Sequence, residues 1–192
     1  MQTSSMETAN ASSGDSASQS FPPGGLVAKS RTVYQSTPLA TDEIRPGVFT
    51  FRGAGGTVTA IAGSHECAVI DTGYGPRVDE IRSAIAAALH QPPRWLINTH
   101  WHFDHTDGNA RFAESGTTIV GHTRCRVGLS ENQYVPSLEW RVPASPRIAW
   151  PVLTFDFAIS LDLGSQMLDL LPQEPLIPMG TSRCGYPRQM CW

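Results

Sequence analysis

The chain has 192 residues, the length of one domain or of part of a larger one, and 40% of them are hydrophobic, which is enough for a packed core. Its net charge is −3 and Lys29 is its only lysine, so no basic surface for nucleic acid is predicted. The four cysteines show no Cys-x-x-Cys spacing, which argues against a zinc knuckle and a disulfide framework.

The N-terminal segment, residues 1–43, is predicted to be a disordered low-complexity tail. Residues 1–30 are rich in Ser, Ala, Thr, Gly and Gln, a composition that does not build a core. They lack the apolar run of roughly 7–15 residues that a secretory signal needs, and the chain lacks the ~18 apolar residues of a membrane span. We expect a soluble cytoplasmic protein without a membrane partner, or a periplasmic one if translation starts at a different codon.

Ordered structure is expected from Ile44 onward, starting with strands over residues 48–51 and 57–62 that a glycine-rich turn separates. Cys67–Ile70 follows as a short, wholly apolar run, which is typical of a strand buried on both faces. Cys67 is therefore predicted to be a buried free thiol.

A helix is predicted between Pro76 and the pair Pro92-Pro93, because proline suits the first turn of a helix and ends one later. Its apolar residues fall on one face: Val78, Ile81, Ile85 and Leu89. A strand over residues 94–99, a short helix over 107–114 and a strand over 117–120 should follow. This alternation predicts an α/β layered domain.

The region after residue 154 is predicted to form a hairpin of half-buried strands. Apolar residues alternate with polar or small ones along the first strand: Phe155, Phe157, Ile159, Leu161 and Leu163. Gly164-Ser165 then turn the chain, and residues 167–171 return.

The segment His100-Trp101-His102-Phe103-Asp104-His105 contains three of the six histidines and directly follows a predicted strand. Side chains two apart in an extended chain project to the same side, so His100 and His102 are predicted to bind one metal ion. Asp104 and His105 are adjacent and must diverge, which suits a second ion. Imidazole and carboxylate ligands favour zinc, so one or two zinc ions are the predicted cofactor.

Two further predictions concern histidines and carboxylates outside this segment. Asp71, at the end of the neighbouring predicted strand, is expected to orient the loop or a ligand imidazole by a hydrogen bond. The isolated His65, His90 and His122 are expected to be structural rather than metal ligands.

Residues 99–109, together with Ile70-Asp71-Thr72-Gly73 upstream, resemble the metallo-β-lactamase fold superfamily. The resemblance covers roughly residues 44–175 and implies the N-terminal portion of a four-layered αββα sandwich, incomplete at its C-terminal end. It also implies that His100 and His102 bind the first zinc, and that Asp104 and His105 bind the second. The adjacent Asp-His pair is more similar to the glyoxalase II-like and subclass B3-like branches than to lactamases without the second histidine.

The resemblance implies a zinc-dependent hydrolase with a small-molecule substrate. A metal-bound hydroxide would attack an ester, thioester, lactone, lactam or phosphodiester. Asp104 would be catalytic, because it would hold the second metal and orient the nucleophile. The sequence does not choose among these substrates, since fold resemblance alone does not determine them.

The C-terminal segment, residues 176–192, is predicted to be a tail foreign to the family. Family members supply a third histidine from a Gly-x-x-His-Thr-x-Gly-Asp type segment, but no histidine follows His122 here. Back-translated and read one base out of register, the tail can encode Ala-His-Thr-Asp-Gly-Asp, which matches the missing segment. We therefore hypothesise a one-base deletion near Pro175, the alternative being a genuine divergent C-terminus.

The alternative function is a truncated non-catalytic fragment, or pseudoenzyme, with incomplete metal sites and weak or partial zinc binding. A third alternative is a binding module that uses the N-terminal tail.

Overall fold

The structure is a computed structural model that describes residues 25–135 and 140–172. The helices in these ranges are α1 (Leu26–Ser36), α2 (Val78–Ala88), α3 (Phe103–Thr106), α4 (Asn109–Ala113) and α5 (Thr123–Ser130). The strands are β1 (Ala40–Arg45), β2 (Val48–Arg52), β3 (Val58–Ala62), β4 (Cys67–Ile70), β5 (Trp95–Asn98), β6 (Thr118–His122), β7 (Gln133–Val135), β8 (Trp140–Val142), β9 (Leu153–Phe155), β10 (Ile159–Asp162) and β11 (Met167–Leu170). None of these helices has the length and apolar content needed to cross a membrane.

A seven-stranded mixed sheet forms the centre of the described structure, in the order β1-β2-β3-β4-β5-β6-β9. Strands β1 to β4 are antiparallel neighbours, whereas β4, β5, β6 and β9 run parallel. Parallel neighbours need crossover connections, which here contain α2, α4 and α5. Because β4 and β5 run parallel, Asp71 and Thr99 follow them at the same edge of the sheet.

Apolar residues cover both faces of the central strands. On one face, Ile81 and Ile85 of α2 and Phe112 of α4 belong to one buried cluster with Val69 and Leu96. On the other face, Leu163 and Leu170 of the β10–β11 hairpin belong to a cluster with Ala68, Ile97 and Val120. Strand β4 is therefore buried on both faces, as its apolar run predicted, and Cys67 is a buried free thiol.

The prediction that order begins near Ile44 was wrong, because α1 lies within the predicted tail, residues 1–43, and β1 begins in it at Ala40. Helix α1 buries a single apolar residue, Val27, and every residue of β1 is exposed. Neither element therefore has the apolar periodicity by which sequence reveals structure. Residues 1–24 and the predicted foreign tail, 176–192, lie outside the described residues.

The predicted strand from Phe155 to Leu163 is divided between two sheets. Phe155 ends β9 in the main sheet, whereas β10 begins at Ile159 in a separate two-stranded sheet with β11. Phe157 lies between them and is 83% exposed, so the prediction that it shares the buried face was wrong. An alternating sequence cannot show where a chain leaves one sheet for another.

Candidate metal centre

The histidine segment forms a short loop and a single helical turn between β5 and α4. The backbone is extended at His102 and then enters α3, which carries Asp104 and His105. The carbonyl of His102 accepts hydrogen bonds from the amides of His105 and Thr106, at 3.0 and 3.1 Å, and from the Thr106 hydroxyl, at 2.9 Å. These bonds close the turn, so the predicted ligands sit on a compact piece of backbone.

The four predicted ligands lie close together at the edge of the sheet. The ring centroid of His100 is 4.7 Å from that of His102 and 4.1 Å from that of His105. Asp104 Oδ2 lies 3.6 Å from His105 Nε2. Three imidazoles and one carboxylate are thus neighbours, and these are ligand types that zinc accepts.

Asp71 joins the end of β4 to this loop by three contacts. Its Oδ1 accepts a hydrogen bond from the Thr99 amide at 2.9 Å, and its Oδ2 accepts one from the Thr99 hydroxyl at 2.7 Å. The same Oδ2 lies 2.7 Å from His105 Nδ1. The backbone of Asp71 has φ +59°, a left-handed conformation that aspartate tolerates better than most residues. With Nδ1 held in this way, Nε2 of His105 is the nitrogen left for a metal.

A glycine allows the turn before β3 to pack directly on the loop. The amide of Gly56 donates to the carbonyl of Asp104 at 2.8 Å. A Cβ atom at Gly56 would lie 2.3 Å from Cε1 of the His105 ring, which is far inside van der Waals contact. His105 is therefore confined between the glycine backbone and the carboxylate of Asp71.

The charge states of the three histidines differ in the metal-free chain. Burial lowers the pKa of His100 to about 4, and the neighbouring His105 and His102 act in the same direction. Burial also lowers the pKa of His102. For His105, the effect of burial is outweighed by the hydrogen bond and charge of Asp71 and by the charge of Asp104, so its pKa is raised. The lowered pKa values of His100 and His102 thus favour the neutral ring that binds a metal, whereas the raised pKa of His105 favours the protonated ring, which does not.

These shifts predict that the contribution of His100 and His105 to the stability of the metal-free chain is largest near pH 6.5. Between pH 6.5 and 4 the unfolded chain takes up a proton at His100 and the folded chain does not, so His100 alone lowers stability by about 2 kcal/mol after allowance for solvent screening. Burial raises the pKa of Asp107 to about 6, which acts in the opposite direction in this range, so the His100 share is the difference between wild type and a His100 variant. The contribution of His105 is complete below pH ~6.5 and is lost as the pH rises through its raised folded pKa. Urea unfolding between pH 4 and 9 measures the free energy of unfolding on both sides of pH 6.5. In His100→Gln, the free energy of unfolding should change less in the destabilising direction between pH 6.5 and 4 than it does in the wild type. The same pH dependence in both proteins would contradict the role given to His100.

The described residues bring the predicted ligands together without completing a ligand set. Within residues 25–135 and 140–172, no three His, Cys, Asp or Glu side chains are arranged to hold one ion. His122 lines the same cavity as His100 and His105, but its Nδ1 accepts a hydrogen bond from the Arg124 amide at 3.1 Å and caps α5. His65 and His90 are exposed.

A cavity of about 650 Å³ opens beside the cluster, a volume suited to a small molecule. The polar part of its lining includes Asp71, His100, His105 and His122. The apolar part includes Ile70, Ile97, Phe155, Leu168 and Leu170, which come from the main sheet and the β10–β11 hairpin.

One neighbour of the cluster was not predicted from the sequence. The hydroxyl of Tyr34, in α1, donates to Asp104 Oδ2 at 3.4 Å. Burial and the charge of Asp104 raise the pKa of Tyr34, so the hydroxyl stays protonated at neutral pH. The two residues are 70 positions apart, and nothing in the surroundings of Tyr34 in the sequence signals the contact.

Comparison with known families matches residues 52–175 to the model of the metallo-beta-lactamase superfamily. This span is more than half of the chain. The chain belongs to the metallo-β-lactamase superfamily. The superfamily predicted from residues 70–73 and 99–109 is thereby confirmed.

Individual relatives are similar to the chain over part of their length. A hydroxyacylglutathione hydrolase of Anaeromyxobacter dehalogenans (strain 2CP-C) is 36% identical over 63 residues, which are 32% of this chain and 23% of the hydrolase. BJP-1, a subclass B3 metallo-beta-lactamase of Bradyrhizobium japonicum, aligns with a TM-score of 0.57 and 22% identity, over 69% of this chain and 51% of that one. A metallo-beta-lactamase from Pontibacter korlensis aligns with a TM-score of 0.53 and 22% identity, over 69% of this chain and 59% of that one.

These likenesses confirm the predicted α/β fold class. The chain spans about a quarter of the length of the hydrolase and between half and three fifths of the two lactamases.

Proposed function

We propose that this chain carries the metal-binding loop of a zinc-dependent hydrolase. The observation that supports it is the cluster of His100, His102, Asp104 and His105 at the edge of the sheet, with Asp71 holding the loop. The similarity to a hydroxyacylglutathione hydrolase and to metallo-β-lactamases supports the same chemistry. The bond hydrolysed would be that of an ester, thioester, lactone, lactam or phosphodiester.

Each residue of the cluster has a proposed role. His100 and His102 would hold a first zinc, and Asp104 and His105 would hold a second. Zinc, when bound, supplies a Lewis acid that activates water at neutral pH. Asp104 would also orient the nucleophile, and the adjoining cavity would receive the substrate. Asp71 keeps His105 Nδ1 occupied, which would leave Nε2 of the ring for the metal.

Zinc binding by the full chain tests this proposal. Equilibrium dialysis followed by metal analysis should show zinc on the wild-type chain, and His102→Ala should weaken binding by about tenfold or more, because one of the few ligands is lost. His90→Ala is the matched control, since His90 is exposed and lies outside the cluster. Equal zinc binding by the His102 and His90 variants would contradict the proposal. One ester, thioester, lactone, β-lactam and phosphodiester should then be assayed with the zinc-loaded chain.

The second candidate function is a non-catalytic fragment with incomplete metal sites. One observation favours it: within residues 25–135 and 140–172, no three His, Cys, Asp or Glu side chains are arranged to hold one ion. This candidate predicts weak, sub-stoichiometric zinc and no turnover of any of the five substrates. Tightly held zinc near one ion per chain would exclude it.

A further inference from the structure

Helix α1 is attached to the metal-binding loop although it contributes little to the core. The Arg77 guanidinium is only 9% exposed and donates hydrogen bonds to the carbonyls of Tyr34 and Thr37, at the end of the helix. The Arg31 guanidinium lies 4.6 Å from the ring centroid of Phe103, at the start of α3. Both contacts hold α1 against the same small region of the protein.

Aromatic rings extend this attachment. The centroid of Tyr34 lies 5.9 Å from that of Tyr74 and 6.3 Å from that of Phe103, and Tyr74 lies 6.4 Å from Phe103. Such tilted and edge-on pairs are favourable beyond the area they bury. The cluster fixes the ring of Tyr34 beside α3, and its hydroxyl meets Asp104 Oδ2 at 3.4 Å.

We propose that Tyr34 is a positioning residue of the metal centre, whose hydroxyl holds the Asp104 carboxylate in place beside His105. The same Oδ2 lies 3.6 Å from His105 Nε2, so the hydroxyl acts on the oxygen that faces the neighbouring ligand. A carboxylate held by such a hydrogen bond loses rotational freedom before the metal arrives, which strengthens metal binding. The inference rests on the proposed function in treating Asp104 as a metal ligand.

Tyr34→Phe removes the hydroxyl and keeps the ring, and Tyr74→Phe is the matched control. Tyr74 belongs to the same ring cluster, and among the described contacts only Tyr34 supplies a tyrosine hydroxyl to Asp104. In the metal-free full chain, the side-chain carboxylate ¹³C resonance of Asp104 is identified by its loss in Asp104→Asn. Tyr34→Phe should shift this resonance, and Tyr74→Phe should leave it in place.

Zinc affinity is the second measurement, made by competition with a chromophoric chelator. Tyr34→Phe should bind zinc about tenfold more weakly than the wild type, whereas Tyr74→Phe should match it. Any of three results overturns the proposal. The Asp104 carboxylate resonance stays in place in Tyr34→Phe, it shifts equally in both variants, or the zinc affinity of Tyr34→Phe equals that of the wild type. If the wild-type chain binds no zinc, the proposed function fails, and the proposed hold on Asp104 is still decided by the ¹³C resonance.

Discussion

Asp71→Ala is expected to lower the free energy of unfolding by about 3–5 kcal/mol, because a buried carboxylate with several hydrogen-bond partners is removed. The Asp71 side chain is 3% exposed and accepts from both the amide and the hydroxyl of Thr99. Without it, the Thr99 amide loses its partner, and His105 loses the acceptor that holds its ring. Alanine is also strained at the φ of +59° found here.

Asp71→Asn removes the negative charge of the side chain and keeps its shape, so it separates the effect of the charge from that of the backbone conformation and the hydrogen bonds. Asparagine tolerates the left-handed backbone and keeps one acceptor oxygen, so the loss should be roughly half of that for alanine. Urea unfolding at pH 6.5, followed by circular dichroism, measures both variants. Asp42→Ala is the control, because Asp42 is 48% exposed and, among the described residues, pairs with Arg52 at the surface, where such a pair contributes ~1 kcal/mol or less. A loss in Asp71→Ala no larger than that of the control would refute the anchoring role.

Asn109→Ala is expected to lower the free energy of unfolding by about 2–4 kcal/mol, because it leaves buried polar groups without partners. Asn109 is fully buried and exchanges two side-chain hydrogen bonds with Asn98, at 2.8 and 3.0 Å. Its amide nitrogen also donates to the carbonyl of Ala149 at 2.8 Å. One side chain therefore ties the end of β5 and the start of α4 to the segment that leads into β9.

Asn132→Ala provides the comparison for this substitution. Asn132 is exposed and accepts one hydrogen bond, from the Ala144 amide at 3.0 Å, so its loss should cost about 1 kcal/mol or less. Thermal or urea unfolding of both variants at the same pH measures the difference. Similar stability of the two variants would show that the Asn98–Asn109 pair does not brace the loop.

The sequence predicts the part of the metal centre that is contiguous or lies at the ends of adjacent strands. His100, His102, Asp104 and His105 fall within six residues, so their closeness follows from local geometry alone. Asp71 could be added because two apolar runs predicted neighbouring strands, and Asp71 follows the first of them as the histidine segment follows the second. The structure places its carboxylate on Thr99 and His105.

The contributions of Tyr34 and Gly56 could not be predicted in this way. Tyr34 comes from a helix with almost no apolar face, which the composition of its surroundings predicted to be disordered. Gly56 looks like any turn glycine in the sequence, and only the fold brings it against the ring of His105. Both depend on contacts between distant segments, for which local periodicity carries no information.

The parallel pairing of β4 with β5 also sets the order in which the centre can assemble during folding. The contacts of Asp71 with Thr99 span 28 positions, and those with His105 span 34, with α2 lying between. Closing such a loop costs chain entropy before any contact is gained, which makes parallel pairing a slow step. We therefore expect the histidine loop to acquire its conformation after the β4-α2-β5 unit has formed. Zinc added during refolding would bind this loop only late in folding. It should therefore slow unfolding more than it accelerates folding.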